Sequence, residues 1–409
     1  MIGNWFQFLA INMQIKSIEN VEIKNKRVLL RTDFNVPLKG NKIQDDFKIT
    51  RAIPTIKMLL QNGNQIIIVS HLGRPEGKRV KSMSLAPVAK YLSNELKEIK
   101  VKFIFDKLSL GLVKRIKSLD DRVILLENMR YEKGEDKNDL KLAKLLSCCA
   151  DVFVNEAFAA CHRTMASMVA ITKFLPSYAG LNLAHEYKYL IKSLNPLKPA
   201  IAIIGGSKIE TKINFIKKLS KIYDAVLIGG GLANTLLSAR RYEVGVSLYD
   251  KDYIKLAKTL LRLNNVVIPM DVVISDSRML KARVADVGKN KSLCTKQEKI
   301  LDIGSKTMKH YSDFIRAAKF IIWNGPMGLF EQKKFSHGTM VIAKAIGARA
   351  KGRAIGIAGG GETLYAIDMA RSGKYYDFIS GGGGAMLEFM EGKVLPGIKP
   401  LLIKNNLKT

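Results

Sequence analysis

The chain has few of the features that would place it among membrane, secreted or metal-stapled proteins. No apolar run reaches the roughly 18–20 residues that span a bilayer, and the first 12 residues lack the basic start of a signal peptide. Four cysteines occur among 409 residues, without C-x-x-C spacing. A Walker A sequence is absent and Gly229–Gly231 does not continue as G-x-G-x-x-G, which argues against a P-loop ATPase and a dinucleotide enzyme. We expect a reduced, cytoplasmic, globular protein with no membrane partner.

Acidic residues are scarce beside basic ones: 36 aspartates and glutamates against 67 lysines and arginines give a net charge of +31. The basic residues are scattered along the chain, which favours a general compositional bias. Anionic substrates are a second explanation and need only a few cations. Nucleic-acid binding is a third, and the lack of a zinc-finger, homeodomain or RRM signature argues against a specific nucleic-acid partner. The charge alone still favours some non-specific binding of polyanions.

Length and patterning indicate two α/β domains, because 409 residues exceed what one core normally supports. Short apolar, β-branched runs alternate with amphipathic stretches such as Lys212–Lys221 and Asp252–Asn264, a pattern typical of doubly wound folds with parallel sheets. The predicted strands are Val28–Arg31, Gln65–Ser70, Lys102–Phe105, Val123–Leu126, Asp151–Asn155, Ala200–Gly205, Ala225–Gly229, Asn265–Pro269, Phe320–Trp323, Ala354–Ala358 and Asp377–Ser380.

The boundary between the domains is expected near the middle of the chain. Pro176 and Pro199 bracket a helical pattern at Leu183–Leu194 that would join the domains semi-rigidly. We assign residues 1–182 to an N-terminal domain, 183–196 to an interdomain helix and 197–390 to a C-terminal domain. Residues 1–12 are interpreted as an extension, since Met13 could begin the chain just as well.

Polar or glycine-rich segments follow nearly every predicted strand. Ligands of parallel sheets bind at the carboxyl ends of the strands, so these segments mark the sites. The first half supplies acids, amides and cations, whereas the second supplies glycine loops whose amides suit phosphates. The pattern predicts a protein that holds one phosphorylated anion opposite another. The segments are Arg31–Pro37, His71–Pro75, Asn128–Arg130, His162–Arg163, Gly205–Lys208, Gly229–Gly231, Gly359–Thr363 and Ser380–Gly384.

Five colinear segments resemble phosphoglycerate kinase, and the similarity runs from about Ile15 to Leu401. The resemblance implies two Rossmann-like domains joined by a hinge that closes, with residues 1–182 binding phosphoglycerate, 197–390 binding nucleotide and 391–409 returning to the first domain. It further implies reversible phosphoryl transfer between 1,3-bisphosphoglycerate and ADP, giving 3-phosphoglycerate and ATP, with Mg²⁺ as cofactor and a monomeric enzyme. The segments are Arg31–Pro37, Ser70–Pro75, Leu125–Arg130, Trp323–Glu331 and Leu387–Gly397.

The residues agree with this chemistry. In the direction of ATP consumption the phosphoryl acceptor is a carboxylate, which is already ionised at neutral pH. A general base is therefore not needed, and the sequence holds no His/Asp/Ser constellation that demands one. The reaction needs alignment and neutralisation of the charge on the transferring group.

The resemblance also assigns site residues. Asp33 and Asn35 would contact the glycerate hydroxyl and carboxylate, although both residue types also favour turns. The non-transferred phosphate would be bound by His71, Arg74, Arg130 and Arg163, where arginine provides a bidentate fork. The catalytic set would be Lys48, Lys208, Gly360 and Gly383. The nucleotide would be bound by Lys212, Gly230, Asn324, Pro326, Glu331, Gly360, Gly361, Glu362 and Thr363, and the metal by Glu362.

Several positions depart from the family pattern. Lys48 stands where the motif D-D-x-R-I has arginine, and Glu362 where G-G-G-D-T has aspartate. Met165 replaces the second histidine of H-R-x-H, Met386 ends a loop that has lost two hydroxyls, and Ile300 replaces a glycine beside the expected adenine pocket. We expect a slower but active kinase that still binds Mg²⁺ in altered geometry. A non-catalytic relative with a binding role and a polyanion-binding protein are the alternatives.

Overall fold

The computed structural model describes residues 14–210, 212–288 and 290–403. The polypeptide forms two compact units, one comprising the chain up to Lys188 together with the segment from Val394, the other comprising Tyr189–Lys393. The predicted extension at residues 1–12 and the alternative start at Met13 lie outside the described residues. Within the described ranges no helix is long and apolar enough to cross a membrane.

The first unit is built on a six-stranded parallel sheet. The unit as a whole has eight strands among the described residues, of which β2 and β3 lie outside this sheet. They are β1 Arg27–Arg31, β2 Leu38–Lys39, β3 Lys42–Ile43, β4 Gln65–Val69, β5 Val101–Ile104, β6 Val123–Leu126, β7 Val152–Asn155 and β8 Ser177–Ala179. Its helices are α1 Phe47–Gln61, α2 Ala86–Glu95, α3 Leu110–Lys117, α4 Leu140–Ser147 and α5 Leu181–Leu194, within which the chain passes into the second unit. Single 3₁₀ turns lie at Ile18–Asn20, Lys81–Met83, Met129–Tyr131, Phe158–Ala160, Ala170–Lys173 and Lys399–Leu401. The sheet order is β5-β6-β4-β1-β7-β8, and β2 pairs with β3 in a hairpin.

The second unit repeats this plan with another six-stranded parallel sheet, in the order β11-β10-β9-β15-β16-β17. The strands of this unit, of which β12, β13 and β14 lie outside the parallel sheet, are β9 Ala200–Ile204, β10 Ala225–Ile228, β11 Val266–Val267, β12 Asp271–Asp276, β13 Ala282–Asp286, β14 Glu298–Ile303, β15 Phe320–Asn324, β16 Ile355–Gly359 and β17 Phe378–Ser380. Its helices are α6 Ile213–Leu219, α7 Gly230–Ala239, α8 Ile254–Leu260, α9 Ser305–Ala317, α10 His337–Ala350, α11 Gly361–Met369 and α12 Gly383–Met390, with 3₁₀ turns at Lys251–Tyr253, Lys333–Phe335 and Gly373–Tyr375.

The prediction of two α/β units with parallel sheets is confirmed. The central strands are apolar along their length because helices cover both faces of each sheet: β6, β9, β10 and β15 are buried at every position. Burial of these continuous apolar runs removes them from water and stabilises each unit.

Three features of the sheets were not predicted: the β2–β3 hairpin, the edge strand β8 and a second, antiparallel sheet. The edge strand β8 has three residues, two of them half-buried, which is too short for a periodic pattern. The strands β12, β13 and β14 form a separate antiparallel sheet, and none of them was among the predicted strands. Its strand β13 is mostly exposed, with Arg283 and Asp286 among its five residues, so it lacks an apolar run. The predicted helices at 212–221 and 252–264 are shorter in the structure, as α6 and α8.

Register explains why residues that are distant in sequence meet at one edge. In the first unit Arg31 is paired with Val69 on one side and with Asn155 on the other, so the loops that follow these strands are neighbours. In the second unit Asn324 pairs with Ile204, and Gly359 pairs with Ser380. Each sheet thus presents its polar loops along its carboxyl edge.

Candidate functional site

Asp33 and Lys48 form an ion pair at the carboxyl edge of the first sheet. Asp33 follows β1, whereas Lys48 lies in the first turn of α1, and Lys48 Nζ is 2.8 Å from Asp33 Oδ2. The Asn35 amide donates to Asp33 Oδ1 at 3.1 Å. Burial acts to raise the pKa of Asp33, but the Lys48 ammonium and the hydrogen bonds from Lys48 and the Asn35 amide oppose it, and the pKa is lowered. Asp33 is therefore a carboxylate at neutral pH.

His71 follows β4 and is almost fully buried beside the same carboxylate. Its Nε2 lies 4.0 Å from Asp33 Oδ1. Burial lowers the pKa of His71 well below its ordinary range; Asp33 acts in the opposite direction, whereas Arg31, Arg130 and Lys48 reinforce the effect. The ring is therefore neutral at pH 7 and acts as a hydrogen-bonding group.

Three arginines, Arg74, Arg130 and Arg163, belong to the set of charged residues around Asp33 and His71. Arg130, in the 3₁₀ turn after β6, donates from Nη1 to the Gly73 carbonyl at 2.7 Å and from Nε to Asp136 at 3.2 Å. Burial lowers the pKa of Arg163, and the neighbouring Arg130 and Arg74 lower it further. This is repulsion between like charges, which Asp136 and Asp33 oppose. A bound anion would relieve it.

Asn35 belongs to the same loops, since its side-chain oxygen accepts from the Gly73 amide at 3.0 Å. The substrate-side residues predicted from the sequence are therefore brought together at one edge of the first sheet. These residues differ in exposure to solvent: Arg74 is exposed, Lys48 and Arg163 are half-buried, and His71 and Arg130 are buried.

In the second unit the loop after β9 contacts a half-buried lysine, Lys212. Lys212 Nζ donates to the Gly205 carbonyl. Burial lowers the pKa of Lys212 to about 8, and the nearby Glu362 opposes the shift. Gly206 has φ +95°, and a β-carbon there would lie 2.9 Å from Lys212 Nζ and 3.7 Å from Glu362 Oε2. A side chain would fill the space between cation and carboxylate, so glycine is required.

Two hydrogen bonds connect the neighbouring loops. Asn324, at the end of β15, donates to the Gly359 carbonyl at 2.7 Å, and the Gly325 amide donates to Thr363 Oγ at 2.7 Å. Gly360 precedes α11 with φ +100°. A β-carbon at Gly383 would lie 3.2 Å from the Gly360 Cα, so the loops that open α11 and α12 touch. Asn324 and Thr363 are buried and hold these loops in position.

A cavity of about 540 Å³ opens beside these loops. Four of the predicted nucleotide residues line it, namely Gly230, Pro326, Glu331 and Glu362. Its walls are mainly apolar or backbone, which suits an aromatic base. The other nucleotide residues border the adjoining loops rather than the cavity: Lys212, Asn324, Gly360, Gly361 and Thr363.

Lys208 and Gly361 are both exposed, as are Glu331 and Glu362 of the cavity wall. Lys208 lies in the loop between β9 and α6 and does not line the cavity. Gly361 opens α11, and a β-carbon there would meet nothing within 4 Å. The structure does not bring either residue into the packed part of the site.

The family-pattern departures in this region are accommodated by packing. Met386 is fully buried, and a β-carbon at Gly359 would lie 2.3 Å from its sulfur, so the side chain fills the space under the β16 loop. Ile300 lines the cavity with 7% exposure. Met165 is buried, and Arg31 Nη2 lies 3.6 Å from its sulfur.

Glu362 is the carboxylate that the sequence predicts as a metal ligand. Glu362 is exposed in the first turn of α11, close to Lys212. In the described ranges there is no cluster of three or more histidine, cysteine or acidic side chains that could hold a metal. Mg²⁺ is commonly held by one or two carboxylates plus substrate phosphates, and Glu362 fits that mode rather than an all-protein cage.

The sequence placed Arg31 at the end of a strand without assigning it a role, and it did not single out Glu135 or Ser167, which lie behind His71 with it. Arg31 ends β1 fully buried, and Nε donates to Ser167 Oγ at 2.9 Å. Glu135 is also fully buried and accepts from Ser167 Oγ at 2.5 Å. The available signal was an arginine closing an otherwise apolar strand, since a buried guanidinium requires partners.

Comparisons with known proteins give a consistent result. A family model described as phosphoglycerate kinase matches residues 18–393. A phosphoglycerate kinase of Baumannia cicadellinicola subsp. Homalodisca coagulata is 41% identical over 400 residues, covering 96% of this chain and 99% of that protein. The solved structure of phosphoglycerate kinase from Coxiella burnetii matches with a TM-score of 0.83 at 39% identity, over 95% of this chain and 98% of its own. The structure from Pyrococcus horikoshii OT3 matches with a TM-score of 0.81 at 30% identity, with the same coverages.

Proposed function

The chain belongs to the phosphoglycerate kinase family, and we propose that it transfers a phosphoryl group reversibly between 1,3-bisphosphoglycerate and ADP, giving 3-phosphoglycerate and ATP. The single observation that best supports this is the pairing, within one chain, of a cation cluster around Asp33 with a glycine-lined cavity beside Lys212. The first suits a small phosphorylated acid and the second a nucleotide. A non-catalytic relative is not favoured.

The first unit would bind the phosphoglycerate. Arg74, Arg130 and Arg163 would hold the phosphate that is not transferred, because Arg74 and Arg130 both repel Arg163 and a bound anion would relieve that repulsion. Asp33 and Asn35 would contact the glycerate hydroxyl and carboxylate. Lys48 is 2.8 Å from Asp33, so its ammonium lies beside the reacting end of the substrate in this arrangement.

The second unit would bind the nucleotide. The cavity lined by Pro326 and Ile300 would hold the base, with Glu331 at the ribose. Lys212 and the amides around Gly230 and Gly360 would face the phosphates. Lys208, exposed at the preceding loop, would approach the transferring phosphoryl. Glu362 would hold Mg²⁺ together with the phosphates; when bound, this ion supplies neutralisation of phosphate charge.

Transfer requires one bond to form and one to break. An oxygen of the terminal ADP phosphate bonds to phosphorus, while the bond from phosphorus to the carboxylate oxygen of the acyl phosphate breaks and its electron pair stays on the carboxylate. No proton moves, so these residues orient groups and neutralise charge rather than act as bases. Lys48, Lys208 and the amides of Gly360 and Gly383 are assigned that task.

The remaining assignments follow from the same chemistry. Ligands held by different units must come within bonding distance, so we propose that the units close when both ligands are bound. We also propose a cytoplasmic monomer, as the family resemblance implies. Residues 1–182 would bind phosphoglycerate, 183–196 would link the domains, 197–390 would bind nucleotide and 391–409 would return to the first domain.

Calorimetric titration with each ligand separately tests the proposal. Wild-type protein should bind 3-phosphoglycerate and MgADP. Arg163→Ala should weaken only the first, and Lys212→Met only the second, because each side chain serves one ligand. Binding of neither ligand by folded wild-type protein would overturn the function, and an equal loss of both ligands in each variant would overturn the assignment of sites.

A further inference from the structure

Arg31 is fully buried and belongs to a network of side chains that contacts His71. Its Nη2 is 3.3 Å from His71 Nδ1, 3.6 Å from Met165 Sδ and 3.8 Å from Glu135 Oε1. Its Nε donates to Ser167, and Nη1 donates to the Thr32 carbonyl. Burial lowers the pKa of Arg31 and Glu135 raises it, but the guanidinium keeps its proton. Arg31 is thus fixed from several sides with one nitrogen aimed at the His71 ring.

The contact between Arg31 and His71 determines where the ring carries hydrogen. A guanidinium can only donate hydrogen bonds. His71 Nδ1 must therefore accept, and in a neutral ring the hydrogen is on Nε2. A protonated ring would set a second N–H and a second positive charge against Nη2 at 3.3 Å. The geometry thus disfavours both the other tautomer and the imidazolium.

The hydrogen on Nε2 is directed to the substrate side. Nε2 lies 4.0 Å from Asp33 Oδ1, beyond hydrogen-bond distance, so the hydrogen is available to an anion bound beside Asp33. We propose that Arg31 is a positioning residue for the proposed kinase reaction: by donating to His71 Nδ1, it keeps the ring neutral with hydrogen on Nε2, ready to donate to phosphoglycerate. The part about binding rests on the proposed function, whereas the tautomer does not.

The inference has a pH consequence. The charged groups that face His71 are Asp33, Arg31, Arg130 and Lys48. With Arg31 in place, His71 stays uncharged as the pH falls from 8 to 6. Without Arg31 the ring is able to accept a proton on Nδ1, and the added cation should strengthen the binding of an anionic substrate at low pH.

The first test uses wild-type protein, ¹⁵N-labelled at histidine, in long-range ¹H–¹⁵N NMR spectra. His71 is identified by the resonances missing in His71→Gln. The expected result at pH 7.5 is a protonated, pyrrole-type Nε2 and an unprotonated, pyridine-type Nδ1. Hydrogen on Nδ1, on either nitrogen in exchange, or on both would overturn the proposal whether or not the protein has kinase activity.

The second test compares two variants, each changed only at buried positions. Arg31→Met combined with Glu135→Gln removes the donor and its buried counter-charge together, whereas Met165→Leu changes a neighbour of Arg31 and leaves the donor to His71 intact. The double variant should lose the fixed tautomer and raise the KM for 3-phosphoglycerate about tenfold, the effect of one hydrogen bond to a charged group, with a smaller change in kcat. Met165→Leu should keep the wild-type tautomer and KM.

Lowering the pH from 8 to 6 supplies a readout that a purely structural role would not change. Titration of the substrate phosphate changes the KM of both proteins alike, so the ratio of KM between the double variant and wild type is compared. This ratio should fall toward low pH, because the His71 ring of the double variant gains a proton there and binds the anionic substrate more strongly. A folded double variant with wild-type KM and a constant ratio would overturn the positioning role. If the double variant does not fold, the wild-type spectrum alone decides.

Discussion

Lys212 offers a pH test of the nucleotide site. Burial lowers the pKa of its ammonium to about 8, and the neighbouring Glu362 acts in the opposite direction. Nζ donates to the Gly205 carbonyl, and a β-carbon at Gly206 would lie 2.9 Å from it, so the ammonium lies beside the phosphate loop. Because a neutral amine has lost its attraction for phosphate, nucleotide binding should require protonated Lys212.

The magnitude follows from this pKa. A group with a pKa of about 8 is about nine-tenths protonated at pH 7, half at pH 8 and about one-tenth at pH 9. The value of kcat/KM for MgATP reports ionisations of the free enzyme. It should therefore fall with a midpoint near pH 8 and decrease about tenfold from pH 7 to pH 9. Steady-state rates with saturating 3-phosphoglycerate, corrected for the pH dependence of the coupling enzymes, provide the measurement.

Three variants separate this cause from others. Lys212→Arg keeps its charge, so the decline should disappear below pH 9. Lys212→Met should be weak at every pH and show no midpoint near 8. Glu362→Gln removes the carboxylate that raises the pKa, so metal-free ADP binding should lose its midpoint near pH 8 and show one at lower pH. A flat wild-type profile up to pH 9, or the same midpoint in Lys212→Arg, would refute the reasoning.

Further predictions concern the positions that depart from the family pattern. Lys48→Met should lower kcat about 10²–10³-fold in the coupled assay, since one contact to developing charge is lost, whereas Lys48→Arg should stay active. Met386→Ala should lower the free energy of unfolding by about 2–5 kcal/mol in urea titrations, because Met386 is fully buried against Gly359. Glu362→Gln should raise the Mg²⁺ concentration needed for half-maximal rate, and Glu362→Asp should not, because only the first removes the carboxylate.

The parallel sheets could be predicted from the sequence because their strands are continuous apolar runs. The region Asp271–Ile303 could not, because none of its three strands is a continuous apolar run: β12 and β14 contain charged residues, and β13 carries charged, exposed side chains. In such strands the pairing depends on contacts with the rest of the unit. The same reason explains why β8, with three residues, was missed.

The candidate site divides in a similar way. Residues at strand ends, such as Asp33 and His71, were identified by position and by family motifs, and the structure brings them within 4.0 Å. The network of Arg31, Glu135 and Ser167 could not be predicted, since its members lie more than 30 residues apart in sequence and meet only through packing. Sequence motifs reveal groups that touch a substrate more readily than groups that orient them.

The most direct test of the account is turnover of purified wild-type protein with 3-phosphoglycerate and MgATP, measured beside Lys48→Arg. The account predicts wild-type activity that requires both substrates and Mg²⁺, with Lys48→Arg equal or faster. No turnover in either protein, with both folded and at saturating substrates, would contradict the assignment of this chain as an active phosphoglycerate kinase.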